Sequence, residues 1–153
     1  MFRRKGRRSF CLLFFVKVMR FADEKEIADV VRRFEDGTIS RDEWKHAEHL
    51  TVALYYLTKC DLGPATEKMR SGIFKLLDAF GVDLSKEMPY HETLTVFWMN
   101  NVDEFNRNNE GASLLDKANK LVADHDKDYP LRFYSREYLF SDLARSEYVP
   151  GDL

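Results

Sequence analysis

Glycine, proline and cysteine are scarce in this chain of 153 residues, which has 7 Gly, 4 Pro and 2 Cys. So little glycine and proline excludes collagen-like chains and Pro/Gly-rich disordered ones. Two cysteines cannot form the disulfide framework of a small secreted domain, so we expect reduced thiols and a cytoplasmic location. With 44% hydrophobic and 14% aromatic residues, the composition predicts a single globular domain.

Long hydrophobic runs are also missing, and the one apolar run outside a helical pattern, residues 10–16, is too short to span a bilayer. It follows a basic stretch, as in a secretory signal, but Lys17 interrupts it and no small-x-small cleavage site follows. We therefore treat residues 1–18 as a leader that is either a mis-assigned start, with translation beginning at Met19, or a targeting segment. The first alternative is favoured, and residues 19–153 are predicted to form the domain.

The net charge of −2 conceals an uneven distribution, because six basic residues and no acidic ones precede Met19. Residues 19–153 carry 18 basic residues against 26 acidic ones, a net charge of −8. An acidic body without a clustered Lys/Arg face argues against nucleic acid as a partner, because cationic contacts supply most of that affinity. We expect neither nucleic acid nor a membrane as a partner, and the sequence does not indicate an oligomeric state.

The apolar residues repeat with helical spacing and show no sustained alternation typical of strands. We predict an all-α, up-down bundle of about five helices, with the aromatic C-terminal segment, Tyr129 to Leu153, packed across it. That segment should hold one short helix near residues 137–145. The first predicted helix is capped by Asp23 and ended by Asp36-Gly37, and the second runs from the Ser40 capping box to about Cys60. The third runs from Pro64 to about Phe80, the fourth begins at Pro89, and the fifth runs from Ala112 to about Ala123.

Three of the four histidines fall near the starts of the second and fourth predicted helices: His46, His49 and His91. Short connections make successive helices antiparallel, so these two helices should start at the same end of the bundle. The fifth helix would return His125 to that end, although the Asp-rich turn around His125 favours a solvated surface position. The sequence thus predicts a polar site at one end of the bundle.

The residue types at this end suggest two kinds of chemistry. His46, His49 and His91, with a carboxylate from Glu43 or Glu92, would suit a divalent metal such as zinc or non-haem iron. Glu43-x-x-His46 has the spacing of carboxylate-bridged bundle sites, but no second copy occurs. Without a metal, Glu43 and Glu92 are the candidate catalytic acid/base groups. The structural alternatives are a capping role for Glu43, a first-turn charge for Glu92, and hydrogen-bonded core positions for the histidines.

Several motifs resemble those of a family of small bacterial proteins of unassigned function. They are Trp44-x-His46-x-x-His49-Leu50, Arg70-Ser71-Gly72-Ile73, Tyr90-His91-Glu92-Thr93-Leu94-Thr95, Phe133-Tyr134-Ser135, Ala144-Arg145 and Pro150-Gly151-Asp152-Leu153. The resemblance covers about residues 34–153. It implies membership of a helical family but supplies no activity.

Two hypotheses of function follow. In the first, the bundle-end site acts on a small polar substrate, through a bound metal or through acid/base groups. In the second, the protein is a non-catalytic binding or interaction module, and the histidines form a polar layer that fixes helix register. The absence of a P-loop, a dinucleotide fingerprint, a nucleophile elbow, His-Glu-x-x-His and Cys-x-x-Cys removes the familiar nucleotide, dehydrogenase and hydrolase classes.

Overall fold

The computed structural model describes residues 19–153, and the predictions for the leader lie outside these residues. The regular structure of this part of the chain is helical, with no strand, which confirms the predicted all-α class. The elements are α1 (Glu24–Asp36), α2 (His46–Lys59), α3 (Leu62–Ala79), α4 (Glu92–Asn108), α5 (Leu114–Asp124), a 3-10 turn (Tyr129–Arg132), α6 (Arg136–Leu139) and α7 (Asp142–Ser146). None of the helices in this part is long and apolar enough to cross a membrane.

Helix α1 has the ends that its sequence predicts. The side chain of Asp23 accepts a hydrogen bond from the backbone N–H of Glu26, which satisfies one of the free amides of the first turn. At the other end Gly37 has a φ of 71°, a left-handed conformation that ends helices and favours glycine. Ile27, Val31 and Phe34 are buried along one face.

The predicted start of the second helix is wrong, because α2 begins at His46 and not after Ser40. The capping box itself forms: Glu43 accepts from the Ser40 backbone N–H, and Ser40 Oγ accepts from the Glu43 N–H. These bonds close a turn only, and a second glutamate provides the cap of α2. Glu48 Oε2 accepts from the Lys45 backbone N–H at 3.2 Å.

The other helix boundaries differ from the predictions by a few residues. Helix α3 starts at Leu62, before Pro64, and α4 starts at Glu92 with His91 as its N-cap. Helix α5 starts after Ser113, whose hydroxyl accepts from the Asp116 N–H. The single short helix predicted near the C-terminus is two helices, α6 and α7.

Helix α2 lies at the centre and contacts α1, α3, α4 and α5. Its buried side chains join those of these helices in the main hydrophobic cluster. A smaller cluster forms where Phe97 of α4 meets the C-terminal segment: its buried members are Phe97, Tyr134, Leu139, Ala144 and Val149. Trp98 packs against both clusters, so α4 is the element that joins them.

Gly72 allows α1 and α3 to pack closely. A Cβ atom at this position would lie 2.4 Å from two ring carbons of Phe34, which is far inside van der Waals contact. The Phe34 ring stacks on Trp44 with centroids 4.7 Å apart, and Trp44 lies 4.1 Å from the His49 ring. The three rings form a column, Phe34-Trp44-His49, that extends from the backbone of α3 to the first turn of α2.

Candidate functional site

A pocket of about 380 Å³ opens where the N-terminal ends of α2 and α4 approach α3. We call it the bundle-end pocket. Its volume lies within the range of small-molecule sites, roughly 300–1,000 Å³. The lining residues are mainly apolar and aromatic, with three histidines and two lysines: Trp44, Lys45, His46, His49, Ala53, Met69, Ile73, Pro89, Tyr90, His91, Leu94, Thr95, Trp98, Met99 and Lys127.

His46, the first residue of α2, is half-buried in the pocket wall. Its Nε2 lies 2.8 Å from the carbonyl oxygen of His125, and because a carbonyl only accepts, Nε2 must carry the hydrogen. The imidazole also packs on Trp98, with ring centroids 4.9 Å apart. His46 therefore ties α2 to the end of α5 and helps to fix the Trp98 ring.

His49 lies one turn further along α2 and is half-buried. Its Nδ1 donates to the carbonyl oxygen of Lys45 at 2.8 Å, which leaves Nε2 as the unprotonated nitrogen of the neutral ring. Burial lowers the pKa of His49 to about 4, because desolvation of the imidazolium outweighs the hydrogen bond to Lys45. At neutral pH the ring is uncharged and Nε2 can accept a hydrogen bond.

His91 is buried, with 8% of its surface exposed, and both ring nitrogens have partners. Nε2 donates to the carbonyl oxygen of Leu139 at 2.8 Å, and Nδ1 accepts from the backbone N–H of Leu94 at 3.2 Å. Burial is the main cause that lowers the pKa of His91, and the nearby Arg145 lowers it further. His91 is the N-cap of α4 and at the same time fastens α4 to α6.

The two predicted acid/base carboxylates do not line the bundle-end pocket. Glu43 is exposed and pairs with Arg33, and hydrogen bonds from Arg33 and Ser40 lower its pKa to about 2. Glu92 accepts two hydrogen bonds from Arg70, at Oε1 and Oε2, and a third from the Tyr90 hydroxyl. Desolvation opposes ionisation of Glu92, but these donors outweigh it and its pKa stays below the ordinary value.

The predicted metal-ligand set is not assembled. Within residues 19–153, no group of three or more His, Cys, Asp or Glu side chains is placed so that it could hold a metal ion. His46, His49 and His91 line one pocket, but each imidazole directs a nitrogen to a main-chain carbonyl, at His125, Lys45 and Leu139 respectively.

Along Tyr90-His91-Glu92-Thr93, successive side chains point alternately towards two different parts of the molecule. Tyr90 and Glu92 turn towards α3, where Glu92 pairs with Arg70. His91 and Thr93 turn towards the C-terminal segment, where the buried Thr93 hydroxyl donates to the carbonyl of Glu147 and accepts from the Val149 N–H. The tetrapeptide therefore connects α4 to two separate parts of the molecule.

Sequence reasoning did not assign several side chains that line the pocket to the site, among them Lys45, Tyr90, Trp98 and Lys127. Trp98 lies on the predicted apolar face of its helix, and so its pattern is that of a core residue. Lys127 lies in the connection after α5, where spacing gives no signal. Burial raises the pKa of Tyr90 to about 12, so its hydroxyl stays protonated at neutral pH.

The expected solvated position of His125 is also wrong. This ring is half-buried and packs edge-on against Trp98, Phe105 and Tyr129, with centroids 6.3, 5.9 and 5.1 Å away. Its Nδ1 lies 3.2 Å from the carbonyl oxygen of Leu121. The aromatic residues that surround His125 come from α4 and from the C-terminal segment, so its own neighbours in sequence could not predict its burial.

Comparison with known proteins gives no identification. No protein-family model matches this chain, and no curated protein or solved structure matches it. The likeness to a bacterial family thus depends on the quoted motifs alone and stays a prediction.

Proposed function

We propose that this protein binds a small, mainly apolar molecule in the bundle-end pocket and acts as a binding module. The observation that carries the proposal is the composition of the pocket walls. Trp44, Tyr90 and Trp98 supply aromatic surface, and buried Ala53 and Met99 supply apolar surface deeper in. Apolar walls with a few polar groups are typical of small-molecule sites.

The histidines support binding better than catalysis. His46 and His91 donate their Nε2 hydrogens to main-chain carbonyls and join separate elements, as members of a structural polar layer do. His49 has an unprotonated Nε2, but a pKa of about 4 makes it a weak base at neutral pH. A base with a pKa nearer the working pH would be better suited to proton transfer, so we assign His49 the role of hydrogen-bond acceptor.

The enzymatic hypothesis, with Glu43 and Glu92 as acid/base groups on a small polar substrate, has less support. Both carboxylates are engaged by arginines, and neither lines the pocket. We also propose that the helices follow each other in up-down order and that the aromatic C-terminal segment lies across the bundle. Membership of the family of small bacterial proteins is likewise a proposal, and it implies no activity.

A pocket-filling substitution tests the proposal. Ile73 of α3 is half-buried and lines the pocket, whereas Leu77, one turn further along α3, is half-buried and does not. We expect 2-naphthoate, its neutral amide, or both to bind the full chain and the Leu77→Trp control. Ile73→Trp should weaken this binding by about tenfold or more, because the indole occupies the ligand's volume.

Saturation-transfer NMR and titration calorimetry measure the binding, and circular dichroism verifies that each variant is folded. If neither compound binds the unmodified chain, or if both Trp variants bind as it does, the bundle-end pocket is not the site and the proposal is wrong.

A further inference from the structure

The charged side chains that line the bundle-end pocket are of one sign. Two lysines line it, Lys45 and Lys127, and no aspartate or glutamate of the described residues does so. This is unexpected in a domain whose net charge is −8. The local charge at the pocket therefore opposes that of the domain as a whole.

Glu48 and Glu92, each next in sequence to a histidine of the pocket, are engaged elsewhere, and Asp126 and Asp128, which flank Lys127, do not line the pocket. Glu48, 4% exposed, pairs with Arg20 and accepts from the Lys45 backbone N–H. Glu92 is held by Arg70 and Tyr90 on the α3 side. An arginine thus compensates each negative charge, together with a backbone amide at Glu48 and a tyrosine hydroxyl at Glu92.

The two lysines have no such compensation. Within residues 19–153, neither Lys45 nor Lys127 forms an ion pair or a side-chain hydrogen bond. Both are exposed, so each ammonium group stays hydrated at the pocket mouth and is free to meet a ligand. Long lysine side chains can reach towards a bound anion without a change in the backbone.

The aromatic walls of the pocket indicate the shape of the uncharged part of the ligand. The His49 ring lies against Trp44 and the His46 ring against Trp98, with centroids 4.1 and 4.9 Å apart, so both indoles are held by packed neighbours. Tyr90 is held by its hydrogen bond to Glu92 and by the ring of Phe74, 4.6 Å away. Rings fixed in this way offer preformed flat surfaces, which favour flat apolar ligands at low entropic cost.

We infer that the bundle-end pocket selects a planar, largely aromatic molecule with one negatively charged group, the anion lying between Lys45 and Lys127. This inference rests on the proposed binding function and adds the class of ligand. The His46, His49 and His91 rings each direct a nitrogen to a main-chain carbonyl, so the selection for an anion comes from the two lysines.

Three probes of the same shape test the inference: 2-naphthoate, 2-naphthamide and 2-naphthylmethylammonium. Titration calorimetry at pH 7.5 and low salt should rank the anion first. Single Lys45→Gln and Lys127→Gln variants should weaken naphthoate about two- to fivefold each, the range of a solvent-exposed ion pair, and leave the amide unchanged. Lys59→Gln, at the opposite end of α2, is the matched control and should change neither.

Salt provides an independent measurement. Raising NaCl from about 20 to about 300 mM should reduce the advantage of naphthoate over the amide, because exposed charges are screened. If the amide or the ammonium compound binds as tightly as naphthoate, or if the double Lys→Gln variant keeps the preference, the inference is overturned while the binding function stands. If neither naphthoate nor the amide binds, the binding function itself fails.

Discussion

His91 is a single residue that satisfies two backbone groups from different elements. Replacing it by alanine removes the N-cap of α4 and leaves the buried carbonyl of Leu139 without its donor. A lost cap costs about 1 kcal/mol, and an unsatisfied buried group about 1–3 kcal/mol. We therefore expect His91→Ala to lower the free energy of unfolding by about 2–4 kcal/mol in urea titrations.

The control for this prediction is His91→Asn, whose side-chain oxygen can still cap the helix but is too short to replace the bond to Leu139. It should lie between the alanine variant and the unmodified protein. Equal stability of His91→Ala and the unmodified protein would contradict the capping role.

His49 makes the stability of the protein depend on pH. In the unfolded chain it takes up a proton near pH 6.5, but in the folded chain only near pH 4. Between these values the unfolded chain binds more protons, so the free energy of unfolding falls as the pH drops from about 6.5 towards 4. His49→Gln cannot take up this proton and should lose less stability between pH 7.5 and pH 5.

Urea midpoints at these two pH values measure the effect. The pKa of His91 is also lowered and acts in the same direction, so the difference between the unmodified protein and His49→Gln isolates His49. An identical loss in both proteins would show that His49 does not carry the dependence.

At the scale of the element, Gly72 determines how closely α3 approaches α1. A methyl group there would overlap the Phe34 ring, which would have to move off Trp44. We expect Gly72→Ala to destabilise the protein by about 1–3 kcal/mol, the usual cost of overpacking, despite the better helix propensity of alanine.

Gly63 offers a matched control in the same helix, because a Cβ added there meets nothing within 4 Å. Gly63→Ala should therefore be neutral or slightly stabilising in the same thermal and urea measurements. If the two substitutions have equal effects, close packing of Phe34 on Gly72 is not what determines the stability at this contact.

The ends of a helix could be predicted from sequence where a single capping residue or helix-ending glycine lay close to each end. Asp23 and Gly37 act within one turn of α1, and both ends were predicted correctly. Around the start of α2, two glutamates, Glu43 and Glu48, each accept a hydrogen bond from the backbone N–H three residues earlier. Local rules cannot decide which of these bonds opens the helix and which closes a turn, because packing of the rest of the chain makes that choice.

The candidate site was predictable only in part, for a similar reason. Helical periodicity indicated that His46 and His49 face inward, and both line the pocket. The partners of the histidines are main-chain carbonyls of Lys45, His125 and Leu139, which have no sequence signature. Side-chain types alone therefore left metal ligation and a hydrogen-bonded core position as alternatives for these histidines.

At the scale of the whole molecule, α4 joins the two hydrophobic clusters, because Met99 and Val102 belong to the main one and Phe97 to the smaller one. We expect both clusters to unfold in one cooperative transition. Circular dichroism and tryptophan fluorescence should give the same urea midpoint. Trp44→Phe leaves Trp98 as the reporter between the clusters, and Trp98→Phe leaves Trp44 as the reporter of the main one. Distinct midpoints for the two single-tryptophan proteins would show that the C-terminal segment unfolds separately.

The alternation within Tyr90-His91-Glu92-Thr93 has an evolutionary consequence. Glu92 is paired with another side chain, Arg70, so a change at either position can be compensated at the other. His91 and Thr93 bond to main-chain groups of the C-terminal segment, which are present whatever residues occupy that segment. Among homologues, positions 70 and 92 should therefore covary, whereas positions 91 and 93 should resist substitution without any covarying partner.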